Sequence, residues 1–172
     1  AAVALALDLL RSLEAEPTSL ADLAGRTGYS PAHFQKLFTR AVGLSPAAYA
    51  RAVRAGRAGE SLSNGSSVTD AVYAAGYGAP SRFYETGARR MGMTPSAWRN
   101  GGRGVTIRWA SVETSLGPML VAATDKGVCR LSFGEGPEAL AERFPEAQIA
   151  PGDARFAALC EQVIAAVEHP GR

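Results

Sequence analysis

Ser19-Leu20-Ala21-Asp22, running on to Gly28-Tyr29, is written again 48 residues later as Ser67-Val68-Thr69-Asp70, running on to Gly76-Tyr77. After one inserted residue the register resumes. Phe34 then matches Phe83, and Gly43-Leu44-Ser45-Pro46 matches Gly92-Met93-Thr94-Pro95. Each copy closes on an aromatic residue, Tyr49 and Trp98. A repeat outranks other signals, because each copy is one supersecondary unit. Two copies are too few for a solenoid, so the chain carries a duplicated small helical unit.

In the first copy Leu20, Leu23 and Ala24 form one apolar stripe behind Ser19, an N-cap residue. Gly28 stands where a tight turn needs positive φ. Ser30-Pro31 then starts a second helix, with proline at its first position. Phe34, Leu37, Phe38 and Val42 share its inner face, which leaves Ala32, His33, Gln35, Lys36, Thr39 and Arg40 outside. That outer set holds an amide and cations able to meet base edges and phosphates. Ser45-Pro46 starts a connecting helix to about residue 61, with Arg51, Arg54 and Arg57 along it, near phosphates or simply solvated. In the second copy Val68, Ala71, Val72 and Ala75 point inward, and Gly76 turns the chain. The spacing predicts a further helix over 80–91, with Phe83 inward and Ser81, Arg82, Tyr84, Glu85 and Arg89 outward. Two alternatives stay open at single positions: His33 as a DNA contact or a plain surface residue, and Glu85 as an acceptor for cytosine N4 or a solvated charge.

Charge divides along the chain. The net +2 conceals +5 in residues 1–104 and −3 in residues 105–172. Between Pro31 and Arg57 there are five basic residues and no acidic ones. A polyanion partner and an ordinary solvated basic face both fit that pattern. The opening residues repeat Val3, Leu7, Leu10 and Ala6, Leu13 at helical spacing, with Asp8, Arg11 and Glu14 interrupting, so they predict an amphipathic helix and not a signal peptide. Nothing approaches membrane-spanning length. Cys129 and Cys160 lie far apart, without C-x-x-C or a neighbouring His. The expectation is two reduced structural thiols in a cytoplasmic protein, with no metal ligand and no cofactor in this chain. The chain lacks an initiator Met and is expected to be an excerpt of something longer.

Gly101-Gly102-Arg103-Gly104 reads as a glycine-rich linker, after which the pattern changes. Residues 105–109 alternate like a strand, 119–124 form a second, and Asp125-Lys126-Gly127 turns into a third over 128–133. Helices follow over 137–144 and 153 to about 167. The last carries Phe156, Leu159, Cys160, Val163, Ile164 and Val167 with nothing evident to cover them, which predicts marginal stability for this portion alone.

The double unit, and above all Gly28-Tyr29-Ser30-Pro31-x-x-Phe34-x-x-x-Phe38 followed by Gly43-Leu44-Ser45-Pro46, resembles the DNA-binding domain of the AraC regulator family over residues 1–100. The resemblance implies two helix-turn-helix modules joined by a long helix, reading adjacent segments of major groove. One departure is that Leu37 and Phe38 become Thr86 and Gly87 in the second copy, which predicts looser packing there. Residues 105–172 resemble the ribonuclease-H-like amino-terminal half of O6-alkylguanine-DNA alkyltransferases. The phrase over 114–131 is especially similar to Ada-type adaptive-response proteins. The implied fold is α+β, a helical domain followed by a small subdomain with a short antiparallel sheet. The implied activity is a regulator of the alkylation response fused to a repair methyltransferase. Its implied partners are promoter DNA, alkylated DNA and RNA polymerase. The family's Pro-Cys-His-Arg acceptor and four-Cys zinc cluster do not occur in these residues. Methyl transfer is therefore not expected of this chain, and zinc would belong to a preceding domain. Two other readings remain: an alkyltransferase using the helical pair as a nonspecific DNA anchor, and an AraC-type regulator whose last third senses a ligand.

Overall fold

The structure is a computed structural model and describes residues 2–12 and 19–169. Helix α1 (Ala2–Ser12) lies over the first repeat unit, α2 (Leu20–Thr27) and α3 (Pro31–Val42). Ala6, Leu10, Leu23, Ala24, Phe34 and Phe38 form one buried cluster there. Leu13 and Glu14 lie outside the described residues. The Ser19 hydroxyl accepts from the Asp22 amide at 3.1 Å and donates to its carboxylate at 2.6 Å. That bond holds the Asp22 carboxyl below the usual carboxylate range. Ser67 and Asp70 repeat the arrangement. Gly28 and Gly43 end their helices at φ 76° and 79°, where a Cβ would be strained.

Helix α4 (Pro46–Ser63) is shared by both units: Tyr49 and Ala50 pack on the first core, Ala58 and Leu62 belong to the second. Helix α5 (Val68–Ala74) follows in register with α2. The predicted helix over 80–91 is not continuous. Pro80–Arg82 (α6) makes a single α-helical turn, Phe83–Gly87 a π turn, and Ala88–Arg90 a 3₁₀ turn. The reason lies in the two substituted positions. Gly87 is buried without a side chain, and a Cβ there would sit 2.5 Å from the Tyr77 hydroxyl and 2.6 Å from the Phe83 ring. Tyr77 is 6% exposed and meets Phe83 edge-on at 5.2 Å, filling the volume that Phe38 fills in the first copy. Looser packing is thus avoided at the cost of helical regularity. Tyr77's hydroxyl is buried with no hydrogen-bond partner, and that burial pushes its pKa up. Gly87→Ala should destabilise the chain by about 1–3 kcal/mol in urea unfolding. An unchanged midpoint would show that this space is not filled as described.

After α7 (Pro95–Arg99) come β1 (Thr106–Thr114), β2 (Gly117–Thr124), β3 (Gly127–Phe133), α8 (Glu138–Arg143), β4 (Gln148–Pro151) and α9 (Ala154–Glu168). The sheet order is β3-β2-β1-β4, antiparallel except that β4 runs parallel to β1. β2 is buried on both faces, so it reads as a continuous apolar run. On one face Leu120, Ala122, Ile107 and Cys129 pack with Leu140 and Phe144; on the other Met119, Val121 and Ala123 pack with Phe156 and Cys160. That second face covers the apolar stripe of α9, including Leu159, Val163 and Val167, which the sequence left without a partner. β4 went unpredicted because four residues ending in Pro151 carry no alternation; its pairing is a backbone matter at the open edge of β1.

The glycine-rich segment supplies tight packing in place of slack. Gly102 is buried and donates to the Ala97 carbonyl at 2.8 Å, and the Gly101 carbonyl accepts from the Glu146 amide at 2.9 Å. Trp98 packs on the core of the second unit and on the core beneath the sheet. Its Nε1 donates to the Gly59 carbonyl at 2.9 Å, and its ring meets Phe144 edge-on at 5.1 Å. The Arg143 guanidinium lies 4.6 Å from both ring centroids and donates to the Ser63 hydroxyl. At the other side of this junction the Thr124 hydroxyl donates to the Gly92 carbonyl. The helical pair and the sheet therefore meet across a packed, hydrogen-bonded boundary.

Candidate nucleic-acid interface

The regular, exposed helix of the repeat is α3. The Ser30 hydroxyl accepts from the His33 amide at 3.4 Å, and Pro31 occupies the first position, where a missing N–H costs nothing. Phe34 and Phe38 anchor the inner face at 0% exposure. That fixes the rotation of the helix and leaves Ala32, His33, Gln35, Lys36 and Arg40 exposed, with Thr39 half-buried. Twelve residues give about 18 Å of helix, enough to lie along several base pairs of a major groove.

One residue of this surface escaped the sequence reading. Tyr29 is 40% exposed, and its ring stacks on His33 at 5.1 Å with a 30° tilt. The imidazole at the start of α3 is thereby held against an aromatic plane. A signal for it existed: with Phe38 filling the core, the first copy has no interior space for the tyrosine that the second copy buries.

The arginines of α4 have different fates. Arg51 is exposed. Arg54 is half-buried with its guanidinium 5.7 Å over the Tyr77 ring. Arg57 donates to the Arg11 carbonyl. Two of the three thus contact other residues of the chain, and Arg51 is the one most open to a phosphate. In the second unit Ser81, Arg82, Tyr84, Glu85 and Arg89 are all exposed, but on the α, π and 3₁₀ turns in succession and not along one helix face.

The cysteines occupy different ground. Cys129 is buried on β3, and burial pushes its thiol up to about 11; burial also raises Cys160 on α9. A thiolate is needed for nucleophilic attack or metal ligation, and these environments disfavour it. At pH 8 about one Cys129 thiol in a thousand would be ionised. In the native chain an aromatic disulfide reagent should react with both thiols far more slowly than in urea. Rapid stoichiometric labelling of native Cys129 would contradict the burial described. Among the described residues no group of three or more His, Cys, Asp or Glu could hold a metal ion, and no helix is long and apolar enough to cross a membrane.

Residues 23–101 match the helix-turn-helix domain family, and residues 107–168 match the ribonuclease-like domain of 6-O-methylguanine DNA methyltransferase. Two relatives match across both parts. The regulatory protein Ada of Salmonella typhimurium and the bifunctional transcriptional activator/DNA repair enzyme Ada of Escherichia coli are each 36% identical over 162 residues. The chain is similar to these Ada proteins across both of its parts. Those matches cover 91% of this chain but 46% of each relative, so the chain spans about half the length of the curated relatives it matches. Solved structures agree on the helical part. A probable AraC family transcriptional regulator from Rhodopseudomonas palustris superposes with TM-score 0.54 at 28% identity, covering 59% of this chain and 97% of that one. An AraC-type regulator from Chromobacterium violaceum gives 0.53 at 26% identity, covering 57% and 88%. The chain thus has an AraC-type helix-turn-helix fold followed by a segment that matches the ribonuclease-like domain of 6-O-methylguanine DNA methyltransferase.

Proposed function

We propose that this chain binds duplex DNA by laying α3 in the major groove, as part of a regulator of the response to DNA alkylation joined to a methyltransferase repair module. One observation carries the reading: a rigidly anchored, twelve-residue helix presents Gln35 between His33 and Lys36 on an exposed face. From Pro31 to Arg57 no acidic side chain opposes a phosphate. The Gln35 amide suits adenine N6 and N7, while Lys36, Arg40 and Arg51 suit phosphates. Promoter DNA and alkylated DNA are the proposed nucleic-acid partners, with RNA polymerase the proposed protein partner of the regulator. We assign neither a zinc ligand nor a methyl acceptor to Cys129 or Cys160.

With about five phosphates neutralised, log affinity should fall with a slope of about −4.5 against log salt in an anisotropy titration. Lys36→Ala should lower that slope by about one and weaken all sequences alike. Gln35→Ala should relax preference at one base position and keep the slope. A flat salt response ends the DNA-binding reading; a chain that discriminates no sequence at moderate salt would be the nonspecific anchor of a repair enzyme. The match of 107–168 to a methyltransferase domain leaves the ligand-sensing alternative without support.

A further inference from the structure

The two repeat units differ in what they can do to DNA, and the difference is built into their cores. In the first, Phe34 and Phe38 fill the interior and let α3 run regularly for twelve residues. In the second, Gly87 replaces the second phenylalanine. Its backbone packs directly on Phe83 and Tyr77, and the segment opens into a π turn in which the Ala88 amide donates to the Phe83 carbonyl five residues back. The Thr86 hydroxyl bonds back to the Arg82 carbonyl at 2.7 Å, which keeps its side chain local. A tight 3₁₀ turn follows at once and packs against β3 of the attached domain.

Base readout requires side chains projected from one rigid helical face at regular spacing, along a cylinder that fits the groove. A single α turn followed by a wide turn and then a narrow one breaks that spacing, and its far end is held by the sheet. What it still offers is charge: Arg82 and Arg89 are exposed at its two ends. Phosphate contact tolerates irregular geometry, because it needs proximity and a cation and not a matched donor–acceptor edge.

We infer that this protein reads DNA sequence through α3 alone, and that the second unit is a sequence-blind phosphate clamp whose recognition helix has been given up to core repair and to docking on the methyltransferase-like domain. The inference rests on the DNA-binding function proposed above. Glu85 then makes no base contact; it faces solvent and the phosphates as a mild repulsion, in place of the cytosine contact its position suggested.

The test is selection of binding sites from a randomised duplex library by the full 172-residue chain. A single block of specified base pairs should emerge, flanked on one side by about one turn of duplex that is required in length and unspecified in sequence. Two specified blocks about 10 base pairs apart would overturn the inference and leave the function intact. Recovery of no preferred sequence would overturn the function itself, and the inference with it. On the selected site and on random duplex alike, Arg82→Ala and Arg89→Ala should weaken binding by the same factor and reduce the salt slope by about one each. Glu85→Gln should tighten both equally. A change in base preference from any of these three variants would show that the second unit reads sequence after all.

Discussion

Phe38→Ala is expected to cost about 3–5 kcal/mol in denaturant unfolding and to remove sequence-selective DNA binding with it. Phe38 is at 0% exposure, with Phe34 at 5.8 Å and the Tyr49 ring edge-on at 5.9 Å. Its deletion leaves a hole between α3 and α4 that neither helix can close, since both are fixed at their first turns by Ser-Pro caps. The second repeat shows what a vacancy at this position does when evolution has filled it: Tyr77 turns inward and the helix becomes irregular. In the first repeat Tyr29 would have to abandon His33 to do the same. A loss under about 1 kcal/mol would mean that this inward turn happens readily and that the two cores are interchangeable. Phe38→Leu, which keeps most of the volume, should retain binding and so separates packing from folding failure.

Gly92→Ala should be as damaging, for a different reason. Gly92 has φ 66°, where a Cβ is strained by about 1–2 kcal/mol. The added atom would also lie 2.5 Å from the Val128 carbonyl oxygen and 2.6 Å from that of Gly127. Both obstacles are backbone, so relief requires parting the β2–β3 hairpin from the helical pair, which also breaks the Thr124 bond to the Gly92 carbonyl. Strain and overpacking together predict a loss of about 2–5 kcal/mol. Hydrogen exchange should localise it: amides of Thr124–Val128 lose protection, while those of α2 and α3 keep theirs. Calorimetry should show one transition for the parent chain and two for the variant, since Trp98 belongs to both cores and couples them while they are docked. Unchanged protection around Thr124 would show that the boundary does not hold the parts together.

These expectations also mark where sequence reasoning succeeded. The helices and turns of the first repeat were legible, though the stacking of Tyr29 on His33 was not. Ser caps, Pro at first positions, Gly at left-handed turns and an apolar stripe are local signals, each acting within one or two helical turns, and they place Gln35 and Lys36 outward without any tertiary information. The substitution of Phe38 by Gly87 was visible too. Its outcome was not, because the residue that compensates, Tyr77, stands ten positions upstream and its twin in the other copy faces solvent. The same chain distance hides β4, whose four residues become a strand only because β1 offers them a backbone edge.

The repeat, its polarity and the chemistry of its outer faces were determined by the order of residues alone, since they follow from helical period and capping preferences that act locally. Only the tertiary structure decided that Arg54 stacks on Tyr77, that Arg143 bridges Trp98, Phe144 and Ser63, and that Gly101 and Gly102 pack against residues 144–147. Each of those depends on which surfaces meet after collapse, where shape and unpaired polar groups choose among many partners that no local pattern distinguishes.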